Sequence, residues 1–121
     1  MKRAHHDLQV WQLGMQLVKG VYELTATFPD SEKYGLCSQM QRAAVSVPSN
    51  IAEGAARSGK RELMHFLSIA RGSLCELETQ VMIGHELGFI DNDQAMMALI
   101  NELFAKLNGL ISSTQQKVNA S

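Results

Sequence analysis

From Lys60 to Leu87 the chain reads KRELMHFLSIARGSLCELETQVMIGHEL, and Leu63, Phe66, Ala70, Leu74, Leu77, Val81 and Gly84 recur at alternating steps of three and four. That spacing lines them up as one stripe along an α-helix, leaving polar side chains for the other faces. Ser58-Gly59 precedes the stretch and Gly88 follows it, a residue suited to stop a helix. A helix of this length cannot bury its stripe alone, so the rest of the chain must supply partners.

Three further blocks carry the same periodicity. Upstream, residues 32–57 place Leu36, Met40, Ala43, Val47 and Ile51 on one face. Before them, residues 7–28 align Val10, Leu13, Leu17, Val21, Leu24 and Phe28, and Pro29 closes that block. Downstream, residues 92–114 carry Met96, Ile100, Leu103, Leu107 and Leu110, with Asp91 placed to cap the helix and Gln94 to reach back. The tail, residues 115–121, reads as frayed. Matched helices joined by short connectors predict an all-α fold, an antiparallel up-down left-handed four-helix bundle forming a single domain over residues 1–121. Pro48 inside the second block removes one backbone hydrogen bond, and a structural bend is expected there.

Composition narrows the function classes. The 121 residues carry 11 basic and 12 acidic side chains, a net charge of -1, so there is no global excess of the kind that drives phosphate binding. Cys37 and Cys75 have no paired spacing and read as reduced, core-type residues. The N-terminus leads into an amphipathic segment rather than an apolar signal, and no apolar run approaches the roughly 20 residues of a membrane span. A cytoplasmic protein without membrane contact is the expectation.

Catalytic and metal templates are not met. His85-Glu86 starts like a zinc-protease motif, but Phe89 stands where the second histidine must be. His65 and His85 would lie about 30 Å apart on one helix, too far to share a metal. His5-His6-Asp7 reads as solvated, neither thiol has activating neighbours, and no paired Glu-x-x-His set occurs. The sequence therefore predicts a protein that is not an enzyme and takes no cofactor or metal.

Three other features remain. The first and last helices carry second apolar stripes, Trp11, Met15, Val18 and Tyr22 on one and Met97, Phe104 and Ile111 on the other, and small residues ring the second helix from Ala43 to Ala56. Apolar stripes beyond one core mark interfaces, so Trp11, Met15, Tyr22, Met97, Phe104 and Ile111 are the expected surface of a homo-oligomer. A polar line runs along the second helix, and Arg42, Asn50 and Glu53 from it, with Arg71 and Glu78 of the third, are expected to form a hydrogen-bonded network. Such a network fixes register; the alternative is a small-molecule or enzymatic site. Arg57, Lys60 and Arg61 form the densest cationic segment and are the candidate phosphate contacts, beside the free amides of a helix start.

Phe28-Pro29, Glu32-Lys33-Tyr34-Gly35-Leu36 and the run Arg42-Ala43-Ala44 through Asn50-Ile51-Ala52-Glu53-Gly54, with Phe66 to Glu78 and Val10-Trp11, resemble the four-helix-bundle proteins encoded in intervening sequences of 23S ribosomal RNA genes, often labelled as a ribosomal protein. The resemblance implies a left-handed bundle assembling as a homopentamer. The chain is also similar to the accessory protein of diversity-generating retroelements, a pentamer whose basic surface binds nucleic acid and a reverse transcriptase; its net charge departs from that relative. Together these imply an interaction or scaffold protein whose partners are copies of itself and RNA or a ribonucleoprotein.

Overall fold

The stripes become four α-helices in a computed structural model that describes residues 2–120. They are α1 (Gln9–Thr25), α2 (Leu36–Ala56), α3 (Lys60–Glu86) and α4 (Gln94–Ala120), with 3-10 turns at Ala4–Asp7 and Asp30–Glu32. Each helix packs on the two that neighbour it in a closed ring, and neither diagonal pair brings its backbones close among the described residues. Paired positions run in opposite senses: Ser46 meets Ser73 while Gly54 faces Leu63, and Arg71 meets Asn108. Neighbouring helices are therefore antiparallel, and the chain is a four-helix bundle.

The core follows the stripes. Leu17, Val21, Met40, Val47, Ile51, Leu74, Leu77, Val81, Ile100, Leu103 and Leu107 are sealed from solvent. In α3 the stripe shifts by one at its start, where Leu67 is fully buried, Leu63 packs at the core's edge and Phe66 lies half-buried under the Arg57 guanidinium. Leu13, Leu24 and Leu110 likewise flank the core rather than fill it.

Several ends differ from expectation. α1 stops at Thr25, whose hydroxyl donates to the Val21 carbonyl at 2.9 Å and accepts from the Gln41 amide at 3.1 Å. That bond ties α1 to α2, and α2 starts only at Leu36, past the 3-10 turn. At the start of α4, Asn92 rather than Asp91 supplies the cap, its Oδ1 accepting from the Gln94 amide at 2.9 Å. Asp91 is one residue too far from a helix that begins at Gln94. The tail does not fray: α4 continues to Ala120 because Thr114 and Val118 extend its buried stripe.

Gly88 stops α3 as expected. It adopts φ +81, and the Phe89 and Ile90 amides both donate back to the Gly84 carbonyl. Pro48 has a partner the sequence did not disclose. Its ring packs on Gly14 of α1, where an added Cβ would lie 3.1 Å from Pro48 Cβ. The proline thus fills the space that a side chain at position 14 would take.

Candidate nucleic-acid end and polar cleft

At the end of the bundle where α1 and α3 begin and α2 and α4 finish, Arg57 is already engaged. Its guanidinium lies 3.5 Å from Glu53 and 4.0 Å from Glu62, and stacks 5.0 Å over the Phe66 ring. The next two cations of the segment, Lys60 and Arg61, form no ion pair among the described residues and line a cavity of about 470 Å³ with Lys117 from the last turns of α4. Gly59 caps α3 with no side-chain hydrogen bond to the first amides of that helix, and Glu62 lines the same cavity. Lys117 lies in the segment whose composition predicts fraying; the continued spacing of Thr114 and Val118 is the signal that places it on a helix.

These cations belong to a wider asymmetry. Among the described residues this end carries the side chains of Lys2, Arg3, Arg57, Lys60, Arg61 and Lys117 against Asp7, Glu53 and Glu62, six cations to three acids. The opposite end carries Lys33 against Glu23, Asp30, Glu32, Glu86, Asp91 and Asp93, one cation to six acids. The net charge of -1 thus averages a cationic end and an acidic end.

Rings gather at the cationic end too. His5, His6 and Trp11 meet edge-on or tilted, with ring centroids 4.3 to 5.2 Å apart. His6 is not free solvent-facing imidazole, since its Nδ1 accepts from the Arg3 amide at 3.0 Å. Desolvation against these rings, then the positive fields of His6 and Arg3, hold His5 below the usual imidazole range.

The five-residue network is not assembled as one unit. Asn50 donates to the Ser46 carbonyl at 2.8 Å and its hydroxyl at 2.9 Å, and Ser46 and Ser73 share a 2.8 Å hydrogen bond. Glu53 goes to Arg57, whereas Arg71 turns away toward α4 and donates to Asn108 Oδ1 at 3.0 Å. Neither Arg42 nor Glu78 makes an ion pair or side-chain hydrogen bond among the described residues. The α3 residues facing α2 are instead Ser73, Glu76 and Gln80, around a cavity of about 300 Å³ with Gln39, Arg42 and Ser46 on the other wall. Gln80 is 7% exposed, and its Oε1 is enclosed without a donor, a cost of about 1–3 kcal/mol unless something supplies one. Ser73 and Gln80 stand one heptad apart beside the core stripe, the pattern that marks a buried polar seam.

The expected oligomer surface divides. Met15 and Tyr22 are each 48% exposed, and Val45 of α2 shares a shallow surface hollow with Tyr22. Trp11, Met97, Phe104 and Ile111 are partly spent on the subunit's own core. Phe104 and Ile111 flank Asn108 at helical spacing and so lie on the α4 face turned toward α3. Apolar residues outside the expected stripes, Ile69, Met82 and Ile83 of α3 and Leu87 just past its end, are exposed as well.

Cys37 is buried, its thiol 3.7 Å from the Thr25 carbonyl, and burial followed by the Glu32 carboxylate pushes it above the ordinary thiol range. Cys75, expected in the core, is exposed on the outer side of α3. No group of three or more metal-ligating side chains occurs among the described residues, and no helix there is long and apolar enough to cross a membrane.

Fold and site define a class: an antiparallel bundle of four helices with a polarised distribution of charge and a polar seam between its central pair. The chain belongs to the family of 23S rRNA-intervening sequence proteins, whose family model matches residues 6–109. A search of curated proteins found no match.

Proposed function

We propose that the protein is a non-enzymatic subunit of a homo-oligomer that docks RNA through its cationic end. The separation of charge along the bundle carries this reading. A polyanion approaching the molecule meets a field set by the local end rather than by the net charge. Lys60, Arg61 and Lys117 converge on one cavity from two helices, three cations against the single carboxylate of Glu62, at the start of α3 where the helix dipole is positive. Arg57, held by two carboxylates, positions that edge more than it offers charge. The family's name ties its members to intervening sequences of 23S rRNA, which makes fragments of that RNA the first to test.

Self-association is supported by exposed apolar side chains on adjoining helices, Met15 and Tyr22 of α1 beside Val45 of α2. A pentamer, as the family resemblance implies, would place five cationic ends on one side of a ring and multiply weak contacts. Light scattering at micromolar concentration tests the assembly, and a monomer there removes it. RNA retardation at low salt tests the docking. Reversing Lys60, Arg61 and Lys117 to glutamate should abolish retardation, while Asp91→Asn and Asp93→Asn at the opposite end leave it intact. Neutralising the three cations as Lys60→Gln, Arg61→Gln and Lys117→Gln should lower the salt slope by about 2 to 3. No retardation by the unaltered protein at low salt would refute the RNA reading.

A further inference from the structure

We infer that the cationic end selects single-stranded RNA, stacking an unpaired base on the ring cluster of His5, His6 and Trp11. This rests on RNA docking through that end as proposed above. Charge alone draws any polyanion, and the rings supply the contact that tells one polyanion from another.

Backbone and side-chain bonds hold the cluster in place. In the 3-10 turn Ala4–Asp7 the His6 and Leu8 amides donate to the Arg3 and His5 carbonyls, each at 3.0 Å. The Arg3 amide donates to His6 Nδ1, also at 3.0 Å, and Gln12 Nε2 of α1 donates to the His6 carbonyl at 2.8 Å. These bonds set both imidazoles against Trp11 before any ligand arrives, so a base meets rings that it need not order. All three rings are partly exposed, and Trp11 is steadied by its packing on the core. Arg3 beside them forms no ion pair among the described residues, and Lys60, Arg61 and Lys117 lie at the same end of the bundle. Single-strand binding combines these two kinds of group: cations follow the phosphates and rings take the bases. A duplex engages only the cations, because its bases are paired and stacked on one another and its deep groove excludes side chains. A strand with unpaired bases engages both. Every base has a face to stack, so the selection is for single strands rather than for one sequence.

Trp11 is the chain's single tryptophan, so its fluorescence reports on the cluster directly. The full chain is titrated at low salt with an oligoadenylate of about ten nucleotides, an RNA duplex of the same length, and inorganic polyphosphate, which has no bases. Displacement of a dye-labelled oligoadenylate gives the three affinities. The oligoadenylate should quench Trp11 saturably and bind at least about fivefold more tightly than the duplex, while polyphosphate leaves the emission unchanged. His5→Ala, in a turn outside the four helices, should weaken oligoadenylate binding about fivefold and leave polyphosphate binding as it was. His5→Phe, which keeps a ring, should restore the loss. Lys60→Gln should weaken all three ligands alike. Equal affinity for oligoadenylate and duplex, or an unaltered oligoadenylate affinity in His5→Ala, would overturn the selection of single strands and leave RNA docking standing. Binding of neither RNA would remove both.

Discussion

The two seams that flank α1 and α3 are built on opposite plans. Between α2 and α3 the backbones come close: an added Cβ at Gly54 would lie 2.9 Å from Phe66 Cβ and 3.3 Å from the Leu63 carbonyl oxygen. Between α1 and α4 a groove of about 420 Å³ stays open, edged by Leu24, Met96 and Leu99. There the corresponding glycine, Gly20, meets only the terminal methyl of Met96, at 3.0 Å. One seam is closed by small residues against atoms that cannot move without the helix, the other by a long flexible side chain. Close approach fixes register, and it is the close seam that holds the ordered polar groups Ser46, Asn50 and Ser73. The looser seam supplies burial without fixing detail.

The sharpest way to break this contrast is to make equal deletions on the two sides. Leu74 of α3 is fully buried beside the close seam, so Leu74→Ala should leave a cavity that cannot collapse, costing about 2–5 kcal/mol. Leu99 edges the open groove and is only partly buried, so Leu99→Ala should cost about 1 kcal/mol or less. Urea unfolding of both variants measures the difference, and equal losses would dissolve the distinction. Gly54→Ala comes next. A helix-interior alanine returns roughly 0.5–1 kcal/mol, but pushing α3 away costs about 1–3 kcal/mol, so a net loss of about 1–2 kcal/mol is expected. For a domain of this size that lowers the melting temperature by roughly 3–8 °C.

How much of this the sequence disclosed depends on whether one helix or two were needed to see it. The stripes of α2, α3 and α4 are properties of single helices, and their periodicity placed Met40, Val47, Leu77 and Leu103 in the core. The Gly88 stop is equally local, a φ that glycine adopts freely. The polar seam is not local. Arg71 and Glu78 occupy one flank of the α3 stripe and Ser73 and Gln80 the other, and nothing along one helix says which flank meets α2. The expected network took the wrong flank for α3, which is why Arg71 ends on Asn108. Pro48 and Gly14 show the same limit, each unusual in its own helix and explained only by contact between them. The continuation of α4 was written in the spacing of Leu107, Thr114 and Val118, but the polar residues between them masked it. The charge separation was countable from the start, yet it needed the antiparallel order to assign each charge to an end.

The smallest expected effect is the most telling for the contrast between seams. Gly20→Ala adds the same methyl group as Gly54→Ala, at nearly the same closest distance, 3.0 Å against 2.9 Å. Distance alone would predict equal damage. What differs is the atom met: Met96 Cε ends a side chain with three rotatable bonds, and it can swing into the open groove beside it. The few tenths of an ångström required at Gly20 therefore cost little, whereas at Gly54 they must come from the α3 backbone. Against that small cost stands the gain of replacing a helical glycine, roughly 0.5–1 kcal/mol. Gly20→Ala should consequently leave stability unchanged or raise it by up to about 0.5 kcal/mol, read as an unchanged or higher urea midpoint at constant slope. A loss matching that of Gly54→Ala would mean that the groove is filled in solution, by a repacked Met96 or by a second copy of the chain. Measuring the variant at two protein concentrations separates these causes, because only the second depends on mass action.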